Sequence, residues 1–210
     1  MAHAPDRNGG VTTGIPARNF FDVDELLSNA RLAFLYTDML INSPTTITAA
    51  KERTGLKKST AYKYRNELAE MGLARELDRH EDGAALWEVD AIGGDWIGDD
   101  HITVGPTVII AVYGASTTDE DIDLFIDRHG RRAIAPAVEE TIEYLRGNKT
   151  RRGVADALGV PAVEGIAISQ AIERIIGALD GADPSLAAVP FEIEIHDLAV
   201  EDAPYRQSDG

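Results

Sequence analysis

Apolar residues between Leu26 and Ile41 recur at helical spacing: Leu26, Leu27, Ala30, Phe34 and Leu35 run into the cluster Met39-Leu40-Ile41. With Asp22 or Asp24 as N-cap and Pro44 as terminator, this pattern predicts a single helix reaching about Asn42. Ile47 to Thr54 is expected to be a short helix, and Gly55 follows where a left-handed residue turns the chain. Lys58 to Met71 reads as a second helix, stopped by Gly72. Ala74–Asp78 and Ala85–Val89 read as short strands, and Glu81-Asp82-Gly83 between them as a hairpin turn.

The pattern changes after Asp90. Gly93, Gly94 and Gly98 mark Asp90 to Asp100 as a linker. Ile102 to Val112 is β-branched and apolar, which predicts a buried strand. Helices are expected over Thr118–Arg128, with Thr118 as N-cap, and over Arg132–Leu145, Thr150–Leu158 and Glu164–Leu179. From Pro190 to Leu198, Phe191, Ile193 and Ile195 alternate with Glu192, Glu194 and His196, as in a strand with one wet face. The expected organisation is a disordered tail over 1–19, a first domain over 20–98, a small α+β domain over 99–200 and a flexible tail over 201–210. The fold class is α+β.

Composition narrows the possibilities. Of 210 residues 44% are hydrophobic, enough for a core. The longest weakly polar run, Val104 to Ala115, is far short of the ~20 residues that span a bilayer. The first 19 residues hold no apolar signal region, so a cytoplasmic location is expected. There is no cysteine, which excludes disulfides, thiolate zinc sites and cysteine nucleophiles. The net charge is −16, with 20 Asp against 16 Glu and 15 Arg against 5 Lys. An acidic, Asp-rich, Lys-poor surface suits molar internal salt, where self-repulsion is screened, so a haloarchaeal, halophilic source is expected.

The positive charge is not spread evenly. Lys51, Lys57, Lys58 and Lys63 are four of the five lysines, and Arg53 and Arg65 join them between Pro44 and Asn66. Glu52 is the only acid in that window, so it carries +5 and the remainder of the chain −21. A chain so poor in lysine that gathers it in one segment points to a polyanionic partner.

The segment Thr45 to Arg75, TTITAAKERTGLKKSTAYKYRNELAEMGLAR, resembles the core of winged helix-turn-helix transcriptional regulators. Ala50 stands where two helices approach closely, Thr54-Gly55-Leu56 forms the turn, Ser59-Thr60-Ala61-Tyr62 opens the recognition helix, and Leu68 and Met71-Gly72-Leu73 close it. The likeness covers about residues 25 to 90. One departure is Lys57, where many relatives carry a capping Ser. The resemblance implies a recognition helix in the major groove of double-stranded DNA and a β-hairpin wing beside it.

Helical periodicity gives the same face independently. Ala61, Tyr64, Leu68, Met71 and Gly72 fall on one side of the second helix, and Ser59, Lys63, Asn66 and Glu70 on the other, with Tyr62 on the flank. An amide pairs with adenine, a lysine reaches guanine or phosphate, and hydroxyls bind either. Lys57, Lys58, Ser59, Thr60, Tyr62, Lys63 and Asn66 are therefore the expected contacts. Lys51 and Arg53 are open between touching the backbone and solubilising their helix, and Arg65 is expected to snorkel along the buried face. The wing carries Arg75, Arg79 and His80 among Glu76, Asp78, Glu81 and Asp82, so at most Arg79 and His80 reach a phosphate.

Thr150 to Ile176 also has a helix-turn-helix outline, but its reading positions are Pro161, Ala162, Val163, Ile166 and Ala167, none of which donates a side-chain hydrogen bond. A packing or subunit interface is the expectation there. Asp99-Asp100-His101 lacks a second cluster to complete a metal site, His129 reads as a helix C-terminal cation, and no phosphate-binding Gly loop or Gly-x-Ser-x-Gly is present. No catalytic residue, metal or cofactor is expected. The resulting expectation is a homodimeric, sequence-specific DNA-binding regulator. Two rivals stay open: a protein-interaction module of the transcription or replication machinery, and an antitoxin-like or effector-sensing switch.

Overall fold

The computed structural model describes residues 17–92, 97–98, 101–102, 105–186 and 189. It is a mixed α+β fold, with mostly helical elements and a small antiparallel sheet.

The first apolar stretch is two helices rather than one: α1 (Ala17–Leu26) and α2 (Ala30–Ile41). Asn29 interrupts it by accepting a bond from the Leu32 amide at 3.2 Å, which satisfies one orphan N–H at the start of α2. The expected tail therefore ends earlier than residue 19, since Ala17 to Asn19 belong to α1. Residues 1–16 lie outside the described part.

β1 (Thr45–Thr46) leads into α3 (Ile47–Thr54), capped by Thr46, whose hydroxyl accepts from the Ala49 amide at 3.2 Å. Gly55 at φ +67° ends α3, and α4 (Lys58–Met71) ends at Gly72 with φ +77°. Both glycines occupy the left-handed region that closes a helix without a Cβ penalty. β2 (Ala74–Glu81) and β3 (Ala84–Val89) then form a hairpin. Its two turn residues, Asp82 at φ 50° and Gly83 at φ 79°, both have the positive φ of a type I′ turn. The sheet order is β1-β3-β2, with Thr45 opposite Trp87 and Ala74 opposite Val89.

The segment expected as a buried strand is instead helix α5 (Pro106–Ala115). Its β-branched run gave no helical period because the helix is enclosed on nearly all sides: Val108, Ile110, Ala111 and Val112 are all buried. Pro106 sits at its first position, where the missing N–H costs nothing. Before it, β4 (Ile97–Gly98) and β5 (His101–Ile102) form a two-residue pair.

α6 (Glu120–His129), α7 (Ile134–Leu145), α8 (Arg151–Leu158) and α9 (Ala162–Leu179) follow. The N-cap of α6 is Asp119 rather than Thr118; its carboxylate accepts from the amides of Asp121 and Ile122. The two-strand, four-helix arrangement expected after residue 99 is thus five α-helices, two short 3-10 turns (Arg131–Ala133 and Pro184–Leu186) and one short strand among the described residues. The strand expected over Pro190–Leu198 lies outside them.

α2 and α5 join the two halves. A Cβ on Gly114 of α5 would stand 2.6 Å from the Phe34 backbone nitrogen, so the helices meet backbone to backbone. On its other sides α2 supports α3, α4 and β3. Buried apolar residues from both halves form one continuous cluster, so no gap in the core matches the expected boundary at 98/99. Tyr36 of α2 closes the joint. Its hydroxyl donates to the Asp90 carbonyl at 3.1 Å and accepts from the Ile92 amide at 3.2 Å, and the same amide donates to Thr107 of α5 at 3.0 Å.

Candidate nucleic-acid interface

The packing of α3 against α4 fixes which face of α4 is outward. Ala50 and Ala61 are fully buried at their contact, and Leu68 and Met71 continue the inner side toward β2. On the outer side, Lys57, Lys58, Ser59, Tyr62, Lys63 and Asn66 are all exposed. Thr60 is half-buried, so of the expected contacts it is the least accessible.

Lys57 occupies the N-cap position of α4 and makes no side-chain cap bond. The first-turn amides therefore remain free, with Lys57 and Lys58 beside them, an arrangement that suits an anion. Lys58 also lies 5.7 Å from the Tyr62 ring centroid. Lys63, 71% exposed in its side chain, pairs with Glu67 at 3.2 Å one turn away. An exposed pair of this kind is worth well under about 1 kcal/mol, so it holds Lys63 only loosely.

Arg65 does more than snorkel. Its guanidinium stacks on Trp87 of β3 at 4.3 Å and lies 5.4 Å from Tyr62, while Nη2 donates to the Asn66 amide oxygen at 2.6 Å. That oxygen has a second lone pair, so Asn66 is oriented while keeping both an acceptor and a donor to present outward. The sequence signal for this was present but faint: an arginine near the buried face, with a tryptophan on the neighbouring strand.

The two open cations resolve differently. Arg53 makes a two-pronged pair with Asp38 of α2, at 2.9 and 2.8 Å, and donates to Thr45 at 3.1 Å. It clamps α3 to α2. Lys51 is near only Glu52, at 3.9 Å. On the hairpin, Arg75 pairs with Glu88 across the strands, whereas Arg79 and His80 are exposed without an ion-pair partner. Arg79 lies within the irregular stretch of the β2–β3 register between Glu76 and His80, and His80 ends it, among Asp78, Glu81 and Asp82.

The second outline is built with the same local parts. Thr150 caps α8 as Thr46 caps α3, accepting from the Gly153 amide at 3.1 Å, and Gly159 repeats the φ of +67° seen at Gly55. Gly165 of α9 packs so closely on Ala155 that an added Cβ would stand 2.3 Å from the Ala155 Cβ. Its outward residues carry no cation at the start of α9: Val163 is 81% exposed, and Glu164 is held by Arg128 at 3.2 Å and His129 at 2.8 Å.

Residues 116–180 match a family of unknown function (DUF7437). No curated protein and no solved structure matches the chain. The matched stretch holds α6 to α9 and lies wholly outside the basic α3–α4 unit. Among the described residues, no three His, Asp or Glu side chains converge as a metal site, and no helix is long and apolar enough to cross a membrane. Asp99 and Asp100 lie outside the described residues.

Proposed function

We propose that the protein is a sequence-specific DNA-binding transcriptional regulator, with α3, α4 and the β2–β3 hairpin acting as a winged helix-turn-helix. One observation carries the reading. The only lysine-rich segment of a chain at −16 is folded so that Lys58, Ser59, Tyr62, Lys63 and Asn66 share the solvent side of one helix, at whose N-terminus the amides are uncapped. In this reading Lys57, Lys58 and the first-turn amides hold phosphate, and Lys63 and Asn66 read base edges. Arg79 on the hairpin reaches a flanking phosphate. The protein acts as a homodimer in the cytoplasm of a salt-accumulating cell, and two copies read two half-sites.

The test is fluorescence anisotropy on fragments selected from genomic DNA in about 2 M KCl, a rough stand-in for such a cytoplasm. Lys63→Ala/Asn66→Ala should lose preference for the selected sequence by about 1–3 kcal/mol per base contact, and Lys58→Ala should weaken all sequences alike. Wild-type preference in the double variant would refute the assignment.

A second reading, effector sensing, is supported by a cavity of about 570 Å³ between the end of α2, the exit of β3 and the Asp180–Ser185 turn. Ser43 on its wall accepts a bond from the Val89 amide at 3.0 Å, which ties the cavity to the hairpin. A thermal-shift screen of small metabolites tests it; no shift with any of them counts against a sensor.

A further inference from the structure

Ion pairing divides the cations of the second half into two groups. Arg128, Arg146, Lys149, Arg151 and Arg174 each hold a carboxylate. Arg131 and Arg132 do not, although acids outnumber bases on this surface. Among the described residues Arg132 and Arg152 have no side-chain partner, and Arg131 spends one N–H on a carbonyl, Leu27 O, at 2.6 Å. All three are open to solvent.

That carbonyl ties Arg131 to the turn between α1 and α2, which also touches α4. Leu27 belongs to the α1–α2 turn, two residues before Asn29, and Asn29 accepts a bond from the Tyr64 hydroxyl of α4 at 3.5 Å. Lys63 lies 5.8 Å from the Tyr64 ring centroid. Two residues of chain span at most about 7 Å, so with the two hydrogen bonds and the Asn29 side chain added, the Arg131 guanidinium lies within about 20 Å of the Tyr64 hydroxyl, roughly half a turn of duplex. Arg31, exposed and unpaired on the first turn of α2, stands on the same turn of chain. Arg152, by contrast, is on α8 and has no such link to α4.

We infer that Arg131 and Arg132, with Arg31, form a second phosphate-binding surface continuous with α4, which grips the DNA backbone beyond the bases read by Lys63 and Asn66. This rests on the DNA-binding reading above and adds to it a contribution from the half of the chain that lacks the basic window. A guanidinium suits the task because it presents several fixed donors to phosphate oxygens. These contacts carry no sequence information; they set the register of the helix on the duplex.

The test uses the full chain and a labelled mixed-sequence 40-bp duplex alongside the selected fragment, at one fixed KCl concentration. Arg132→Ala comes first, because that side chain makes no hydrogen bond or ion pair among the described residues and its loss should leave the fold intact. It should weaken binding to both duplexes by the same factor, about three- to tenfold, and Arg131→Ala/Arg132→Ala should weaken it further. Arg152→Ala should bind as wild type does. Phosphate ethylation interference on the selected fragment should lose one or two positions at the outer edge of each half-site in Arg132→Ala. If Lys57→Ala/Lys58→Ala loses affinity while Arg132→Ala keeps both wild-type affinity and the full interference pattern, the second surface is wrong and the DNA reading stands. If neither duplex binds wild-type protein, both fall together.

Discussion

The Arg65 guanidinium carbon lies 4.3 Å from the centroid of the Trp87 ring. This contact joins the middle of α4 to the central strand of the sheet, and it sets the angle between the helix and the hairpin. Trp87 is buried, so truncating it removes both the stacking partner and a large packing group. Trp87→Ala should cost about 3–5 kcal/mol in urea unfolding. Arg65→Ala should cost less, and the double-mutant cycle should return a coupling of about 1 kcal/mol for a partly desolvated cation–π pair. A coupling indistinguishable from zero would mean that the stack is incidental.

Two glycines of the helical half should respond in opposite directions to the same substitution. Gly114→Ala drives a methyl to within 2.6 Å of the Phe34 nitrogen, which cannot move without separating α5 from α2. We expect a loss of about 3 kcal/mol or more in thermal unfolding, at the high end for overpacking because backbone rather than side chain is hit. Gly177→Ala on α9 meets nothing within 4 Å and should gain about 0.5–1 kcal/mol from helix propensity alone. Equal effects at the two sites would contradict the close approach of α2 and α5.

Burial, more than any charge nearby, pushes the Tyr36 hydroxyl well above the ordinary tyrosine range. The neutral phenol is the form that fits, since it both donates to Asp90 and accepts from Ile92. A group whose proton is held more tightly when folded contributes stability below its unfolded value, about pH 10, and loses it as pH rises further. Ultraviolet titration should therefore show one of the six tyrosines ionising only when the protein unfolds. Tyr36→Phe should cost about 1–3 kcal/mol at neutral pH by leaving the Ile92 and Asp90 backbone groups short of a partner, and it should abolish that late step. Six tyrosines titrating together in folded protein would show Tyr36 to be accessible.

Salt should act on the fold before it acts on any ligand. With a net charge of −16, self-repulsion weakens as the screening length falls from about 10 Å in 0.1 M KCl to about 3 Å in 1 M. The melting temperature by circular dichroism should climb steadily across that range, and the selected DNA fragment should still bind near 2 M KCl, roughly the ionic strength assumed for the cell. Folded protein that releases DNA steeply between about 0.2 and 1 M, as counterion release alone dictates, would remove the case for adaptation to high salt.

The basic unit was legible because its signals are local. Threonine caps, left-handed glycines and an Asp-Gly turn each act within a few residues, and α3, Gly55, α4 and Gly72 fall where those signals place them. Asn29 was equally local, yet the apolar spacing on either side of it ran on as if unbroken. The sequence of α5 looks like a strand because enclosure on all sides erases periodicity; Gly105-Pro106 ahead of it is the better guide, as a helix start. Pairing was the part least open to reading. Nothing near Arg53 in sequence says that Asp38, fifteen residues back, takes it, and nothing near Arg131 says that a carbonyl beyond a hundred residues away does.

The contact of Gly114 with Phe34 leaves this chain without interchangeable parts. α2 is the rear wall of the basic unit and the front wall of the helical half, so neither can be lifted out whole. A fragment ending near residue 98 would expose Ala33, Thr37 and their neighbours along a stripe built to lie against bare backbone, and would precipitate or unfold rather than bind at half strength. For the same reason, a hybrid that grafts the basic helix onto a different second half succeeds only if α2 and α5 travel as a couple. Sequence drift in either helix then has to be answered in the other, so the pair should change in step.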